Sequence, residues 1–277
     1  IREIAFEYVS FRYPNENGAA MEAAGESKAV RESDIIAENS MDPGVALHTR
    51  DILQDVSFSI AKGDYVAVTG TSGCGKSTML KLLMGIYRPQ TGTIAVILND
   101  GKSIAIENMK RLFAYVPQGN FLMGGSVRDV ITFGKSKEDG TADCLKTDNA
   151  DRDHADRNDM DLDEKLERAV HLACADFVYD LPMQLDTILG EKGAGLSEGQ
   201  MQRIAIARAL YADRPVLILD ESTSALDQQT ERKLLDNLKQ LTDKTVLFVS
   251  HRLPALEICS KQLHFEEGMV QMENKTE

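Results

Sequence analysis

Gly70-Thr71-Ser72-Gly73-Cys74-Gly75-Lys76-Ser77-Thr78 is the stretch that decides how this 277-residue chain is read. Before it stands the apolar run Tyr65-Val66-Ala67-Val68, which has the make-up of a buried β-strand. After it, Met79-Leu80-Lys81-Leu82-Leu83-Met84 has helical spacing. Strand, glycine-rich turn and helix start, in that order, build a cradle for phosphate. The glycines let the backbone curl so that successive N–H groups point inward, and the helix N-terminus adds partial positive charge. Lys76 can reach β- and γ-phosphates and the Ser77 hydroxyl can ligate Mg²⁺. This context separates the stretch from an ordinary glycine-rich βα turn. It implies a nucleotide, without saying which machine uses it.

The length suits one large α/β domain or two small ones. The net charge of −13 argues against a nucleic-acid surface, which usually carries a basic patch. It does not argue against ATP, because the local field of a phosphate loop and its Mg²⁺ outweighs global charge. The four cysteines, Cys74, Cys144, Cys174 and Cys259, are far apart and form no C-x-x-C pair. That favours free thiols in a reducing compartment. No apolar run approaches the roughly 18 residues that span a bilayer, and no secretory signal opens the chain. The first residue is Ile1, which leads us to expect a piece of a longer protein.

Ile4 to Tyr13 is aromatic and β-branched and reads as a strand. About 15–48 the chain loses periodicity, which predicts an irregular insertion with a short helical piece near Met21 to Val30. Ile52 to Ile60, Thr93 to Leu98 and Phe113 to Val116 read as strands. Asn99-Asp100-Gly101 is a hairpin signal. Ser126 to Thr132 predicts a short helix. Residues 135–163 form a second irregular stretch, strongly acidic, of the kind that is solvated. Asp159, Asp161 and Asp163 have the start of a calcium-loop spacing, but Glu164 replaces the required glycine and Val170 the closing glutamate. Leu166 to Phe177 reads as helical, Val216 to Leu219 and Thr245 to Val249 as parallel strands buried on both faces, and Thr230 to Leu241 as an amphipathic helix between them.

Val216 to Leu219 ends in Asp220-Glu221. Carboxylates at the carboxyl end of a parallel strand stand where α/β sheets bind ligands. Asp220 can hold hydrated Mg²⁺, and Glu221 can take a proton from, or orient, an attacking water. Leu196-Ser197-Glu198-Gly199-Gln200 precedes a helix over Met201 to Leu210. Ser197 and Gln200 have capping-box spacing. Gly199 lowers helix propensity in that first turn, and a bare cap does not need it. A glycine there lets phosphate approach the helix start and so offers a second anion site.

Together these stretches resemble the nucleotide-binding domain of ATP-binding cassette (ABC) transporters. Leu196–Gln200 resembles that family's signature motif, Gln118 its Q-loop, Ser224-Ala225-Leu226-Asp227 its D-loop, and His251 its switch histidine. Tyr13 stands where the family stacks a ring on adenine. The resemblance covers the chain except the two insertions. It implies one domain over 1–277 with a P-loop NTPase core, an antiparallel β-subdomain, and a helical subdomain over about 119–212. The implied mechanism is ATP hydrolysis by two such domains dimerised head to tail, as a homodimer or as half of a heterodimer. ATP and Mg²⁺ would lie between Gly70–Thr78 of one copy and Ser197, Gly199 and Gln200 of the other. Lys76 and His251 would contact the γ-phosphate, Ser77, Gln118 and Asp220 would serve the metal, and Glu221 would activate water. Glu191-Lys192-Gly193 and Ser250-His251-Arg252-Leu253 look like the exporter branch. There the domain sits at the cytoplasmic face of the membrane, commonly fused behind a transmembrane domain. The alternatives are a separate importer ATPase subunit and a DNA-maintenance ATPase. The latter's long coiled-coil heptads do not appear here, and the acidic charge opposes DNA.

Overall fold

The computed structural model describes residues 1–13, 51–104, 106–119, 124–133, 159–190 and 195–275. The predicted helix near Met21 to Val30, most of the acidic stretch and Glu191-Lys192-Gly193 lie outside these residues. In chain order the elements are β1 (Glu3–Phe11), β2 (Leu53–Ala61), β3 (Tyr65–Gly70), α1 (Lys76–Leu83), β4 (Thr91–Ile97), β5 (Ser103–Ile104) and α2 (Ile106–Met109). Next come β6 (Phe113–Val116), β7 (Gly125–Ser126), α3 (Val127–Thr132), α4 (Asp159–Leu172), β8 (Ile188–Leu189) and α5 (Glu198–Tyr211). The last are β9 (Val216–Asp220), α6 (Gln228–Leu238), β10 (Thr245–Val249), α7 (Leu253–Glu257), β11 (Lys261–Glu266) and β12 (Met269–Asn274).

The central sheet has strand order β12-β11-β3-β10-β9-β6 and is parallel except for the β11–β12 hairpin. Its middle strands carry unbroken apolar runs, Val66–Val68, Val216–Leu219 and Val246–Val249, because both faces are covered. Val216 and Ile218 of β9 point to one core, with Val66 and Val68 of β3 and Leu247 and Val249 of β10. Leu217 and Leu219 point to the other, with Ala67, Val246 and Phe248. The first core contains Met79, Leu80, Leu82 and Leu83 of α1, together with Ile4, Phe6 and Val9 of the antiparallel sheet β2-β1-β4-β5. Phe6 and Phe58 stack across that sheet with ring centroids 4.4 Å apart. The second core takes in Val127, Val130 and Ile131 of α3, Leu166, Ala169 and Val170 of α4, and Ile204 and Ile206 of α5. This is the expected α/β P-loop NTPase arrangement.

Several boundaries differ from expectation, each for a local reason. β1 stops at Phe11, not Tyr13, because the Gln90 side chain takes over the pairing: Arg12 N–H donates to Gln90 Oε1 (2.7 Å) and Gln90 Nε2 donates to the Arg12 carbonyl (2.9 Å). α4 begins at Asp159, inside the stretch read as irregular, so the calcium-like aspartates lie on a helix. It ends at Leu172, because Cys174 adopts a left-handed φ of 53°. A separate 3₁₀ turn over Asp176–Asp180 carries the apolar spacing onward. α6 starts two residues early, where the Asp227 carboxylate accepts from Gln229 N–H and Thr230 N–H, both at 3.0 Å. At its other end Tyr65 Oη donates to the Leu238 and Leu241 carbonyls, 2.5 and 3.3 Å away.

β4 begins at Thr91 rather than Thr93 because Gly92 packs into a bulge of β1. Tyr8 there has φ 52° and the β1–β4 register shifts beyond Glu7. Gly92 has φ 79°, and a Cβ on it would stand 2.2 Å from the Tyr8 carbonyl oxygen. Left-handed strain together with overpacking gives an expected cost of roughly 2–4 kcal/mol for Gly92→Ala. Urea unfolding of the variant against the parent chain checks it.

Candidate functional site

Parallel pairing sets the edge at which the chemistry-bearing residues emerge. Asp220 of β9 is level with Val249 of β10, and Val249 is level with Val68 of β3. Three chain segments therefore leave the sheet side by side: the phosphate loop after β3, Glu221 after β9, and Ser250-His251 after β10. Glu221 N–H donates to the Val249 carbonyl at 2.9 Å, tying the last two together.

In the loop, Gly70, Gly73 and Gly75 all take positive φ, at 132°, 79° and 112°. A Cβ on Gly73 would meet nothing within 4 Å, so the hollow of the loop is open on that side. Thr71, Ser72 and Ser77 are exposed, whereas Cys74, Gly75 and Thr78 are buried. Lys76 opens α1 and is buried, its ammonium curled over the loop with Nζ donating to the Gly70 and Thr71 carbonyls at 2.6 and 2.8 Å. Those two bonds hold the charge at the helix start, where an anion is best received. Tyr13 donates or accepts at the Thr78 hydroxyl (3.1 Å) and meets Phe11 and Tyr87 edge-on, with centroids 5.2 and 5.4 Å away. Its ring is thus a half-buried part of an aromatic cluster beside α1.

Asp220 is 7% exposed and Tyr115 Oη donates to its Oδ2 at 2.9 Å. Burial pushes its pKa above the ordinary carboxylate value. The neighbouring Glu221 adds to this, while the Tyr115 hydrogen bond and Lys76 oppose it. Glu221 has a left-handed backbone, φ 48°, and its Oε2 accepts from Gln118 Nε2 at 2.7 Å. Gln118 and His251 are both exposed, so His251 is not a core histidine. The Ser77 hydroxyl, the Asp220 carboxylate and the Gln118 amide oxygen are hard oxygen donors, few in number and one of them charged. This chemistry fits Mg²⁺ shared with a phosphate.

The second helix start lies on α5. Ser197 and Gln200 form the expected capping box: Gln200 N–H donates to Ser197 Oγ (3.2 Å) and Ser197 N–H to Gln200 Oε1 (2.9 Å). Ser197 faces solvent. Gly199 has a reason the spacing did not reveal, since a Cβ there would stand 2.8 Å from the Ala225 carbonyl oxygen. The absence of a side chain lets α5 lie against the Ser224–Leu226 loop. Gln202, 3% exposed, completes that contact by donating to Ser224 Oγ (3.1 Å) and accepting from Ala225 N–H (3.1 Å). Tyr115 and Gln202 were missed in the sequence. Their only trace is polarity, a hydroxyl in the apolar run Phe113–Val116 and an amide on the buried side of α5.

The family profile described as "ABC transporter" matches residues 53–224. The chain belongs to the ABC transporter family. Among its relatives are the lactococcin-G-processing and transport ATP-binding protein of Lactococcus lactis subsp. lactis and the ATP-dependent lipid A-core flippase of Vibrio cholerae. The first is 35% identical over 220 residues, covering 79% of this chain and 28% of that protein. The second is 38% identical over 220 residues, covering 79% and 34%. This ABC chain thus spans about a third of the length of these relatives. A solved bacterial Atm1-family ABC exporter with ATP bound superposes with a TM-score of 0.69 at 28% identity, covering 99% of this chain and 39% of that one. Among the described residues no helix is long and apolar enough to cross a membrane.

The raised pKa of Asp220 has a consequence for stability. Between the ordinary carboxylate value and the raised one, the folded chain holds a proton that the unfolded chain has lost. Stability from this group is therefore lost as pH rises through that window. Asp220→Asn removes the charge and can still accept from Tyr115. Thermal melts without metal should show the variant more stable than the parent at neutral pH, with the gap closing as pH falls to the ordinary carboxylate range.

Proposed function

We propose that this chain is the ATPase domain of an exporter, binding and hydrolysing ATP at the cytoplasmic face of a membrane to drive transport. The chain is taken as one nucleotide-binding domain, with a helical subdomain over about 119–212. A transmembrane domain, fused upstream as in many exporters, would be its partner. A second nucleotide-binding domain, identical or paired, would close over the nucleotide head to tail. The observation that carries the reading is the convergence at one sheet edge of the buried Lys76 ammonium, the Asp220-Glu221 pair and His251. The solvent-exposed Ser197 cap supports the dimer, because an exposed helix start suits a partner's phosphates. The relatives' printed roles, lactococcin-G processing and transport in one and a lipid A-core flippase in the other, favour export over import.

In this reading the backbone of Gly70–Thr78 cradles the phosphates while Lys76 and His251 engage the γ-phosphate. Tyr13 packs beside the adenine. Ser197, Gly199 and Gln200 close the site from the partner copy. Ser77, Gln118 and Asp220 would hold Mg²⁺, which when bound offsets the charge of the phosphates. Glu221 does the proton work. One carboxylate oxygen takes the proton of the attacking water while the other is steadied by the Gln118 amide. Glu221→Gln is expected to slow phosphate release by about 10²–10⁴-fold while nucleotide binding persists. Phosphate release and nucleotide titration on the same preparation check this. Turnover near that of the parent would remove Glu221 from the role.

A further inference from the structure

Arg252 follows His251 directly, and its side chain does not turn towards the phosphate loop. It reaches across to the loop Ser222–Leu226. Nη1 donates to the carbonyls of Thr223 (2.6 Å), Ser224 (3.3 Å) and Leu226 (3.3 Å). Nη2 stands 3.0 Å from Oε2 of Glu231 on α6. Glu231 is fully buried, and its Oε1 accepts from the Thr223 hydroxyl at 2.8 Å. A buried carboxylate is costly to hold unless paired and hydrogen-bonded, yet a helix of this length could have packed an apolar residue there. The loop is gripped from its other side by Gln202 and by the close approach at Gly199. It runs directly from Glu221 into the Asp227 cap of α6.

We propose that Arg252 is a positioning residue, clamping the Ser222–Leu226 loop so that Glu221, His251 and the Ser197-capped helix keep a fixed mutual geometry. A guanidinium suits the task because its planar fork reaches several carbonyls and a carboxylate at once, which an ammonium cannot do. Arg252 touches no reacting atom. Its effect passes through the loop to Glu221 on one side and α5 on the other. The assignment rests on the ATPase reading for its kinetic half only, because the clamp itself is read from the loop.

The test separates the clamp from simple neutralisation of Glu231. Arg252→Ala alone strands a buried carboxylate and invites unfolding, so it is paired with Glu231→Gln, which still accepts from Thr223. Arg252→Lys is the second variant, keeping the charge without the fork. Three quantities are measured on the full chain: turnover at saturating ATP, the dissociation constant for a non-hydrolysable ATP analogue, and amide hydrogen exchange over 222–227. The clamp requires Arg252→Ala/Glu231→Gln to lose about 10²-fold in turnover, the scale expected when catalytic groups are displaced by about an ångström. Analogue affinity should stay within a factor of two or so. Loop exchange should speed up, and Arg252→Lys should fall between parent and double variant on both measures. Parental turnover in the double variant would overturn the proposal, whatever the exchange. So would lost turnover with unchanged exchange. A parent chain with no turnover would count against the ATPase reading, while exchange over 222–227 would still decide whether Arg252 clamps the loop.

Discussion

In-register parallel pairing of β3, β10 and β9 is the constraint on which the rest of this structure depends. Parallel strands share a direction, so their carboxyl ends share an edge. Levelling Val68, Val249 and Asp220 brings together residues separated by up to 181 positions in the chain. Nothing in the loops would achieve that alone. The hydrophobic alternation within each strand enforces the level: a slip of one residue would turn Leu217 and Leu219 into the core that now holds Val216 and Ile218. The geometry of the polar edge is thus fixed by two apolar faces that carry no chemistry.

That division explains what was legible in the sequence. Buried parallel strands write themselves as unbroken apolar runs, so β3, β9 and β10 were found with their ends nearly right. The carboxylates and His251 could then be placed by counting from those ends. The loop after β3 and the α5 cap were legible because each is a local pattern of fixed spacing. Helix ends were harder. The apolar spacing of α4 runs on into the Asp176–Asp180 turn because both pack on the same core, and only the left-handed backbone at Cys174 divides them. Tyr115, Gln202, Glu231 and Arg252 were illegible for a different reason. Their partners lie between 8 and 105 residues away, and no propensity or period records a bond of that kind. The family resemblance named the motifs, but Gly199 shows how a motif residue can also answer to its own chain, through the carbonyl of Ala225.

The polar groups of the edge are held by different means, and the difference follows their exposure. Lys76 and Asp220 are buried and have hydrogen-bond partners supplied by the fold, two backbone carbonyls for one and a tyrosine hydroxyl for the other. His251 and Gln118 lie at the surface, where water can serve them. The charges nearest this edge, Lys76 against Asp220 and Glu221, act on one another more directly than the chain's net charge does.

The left-handed backbone at Glu221 bears on how this position tolerates inheritance. Asparagine and aspartate accept that conformation readily and glycine accepts it without strain, whereas β-branched residues fit it worst. Random drift at this codon is therefore channelled. Copies still selected for their fold but no longer for turnover should accept asparagine or glycine here first, losing the carboxylate while leaving the turn, and the architecture around it, intact.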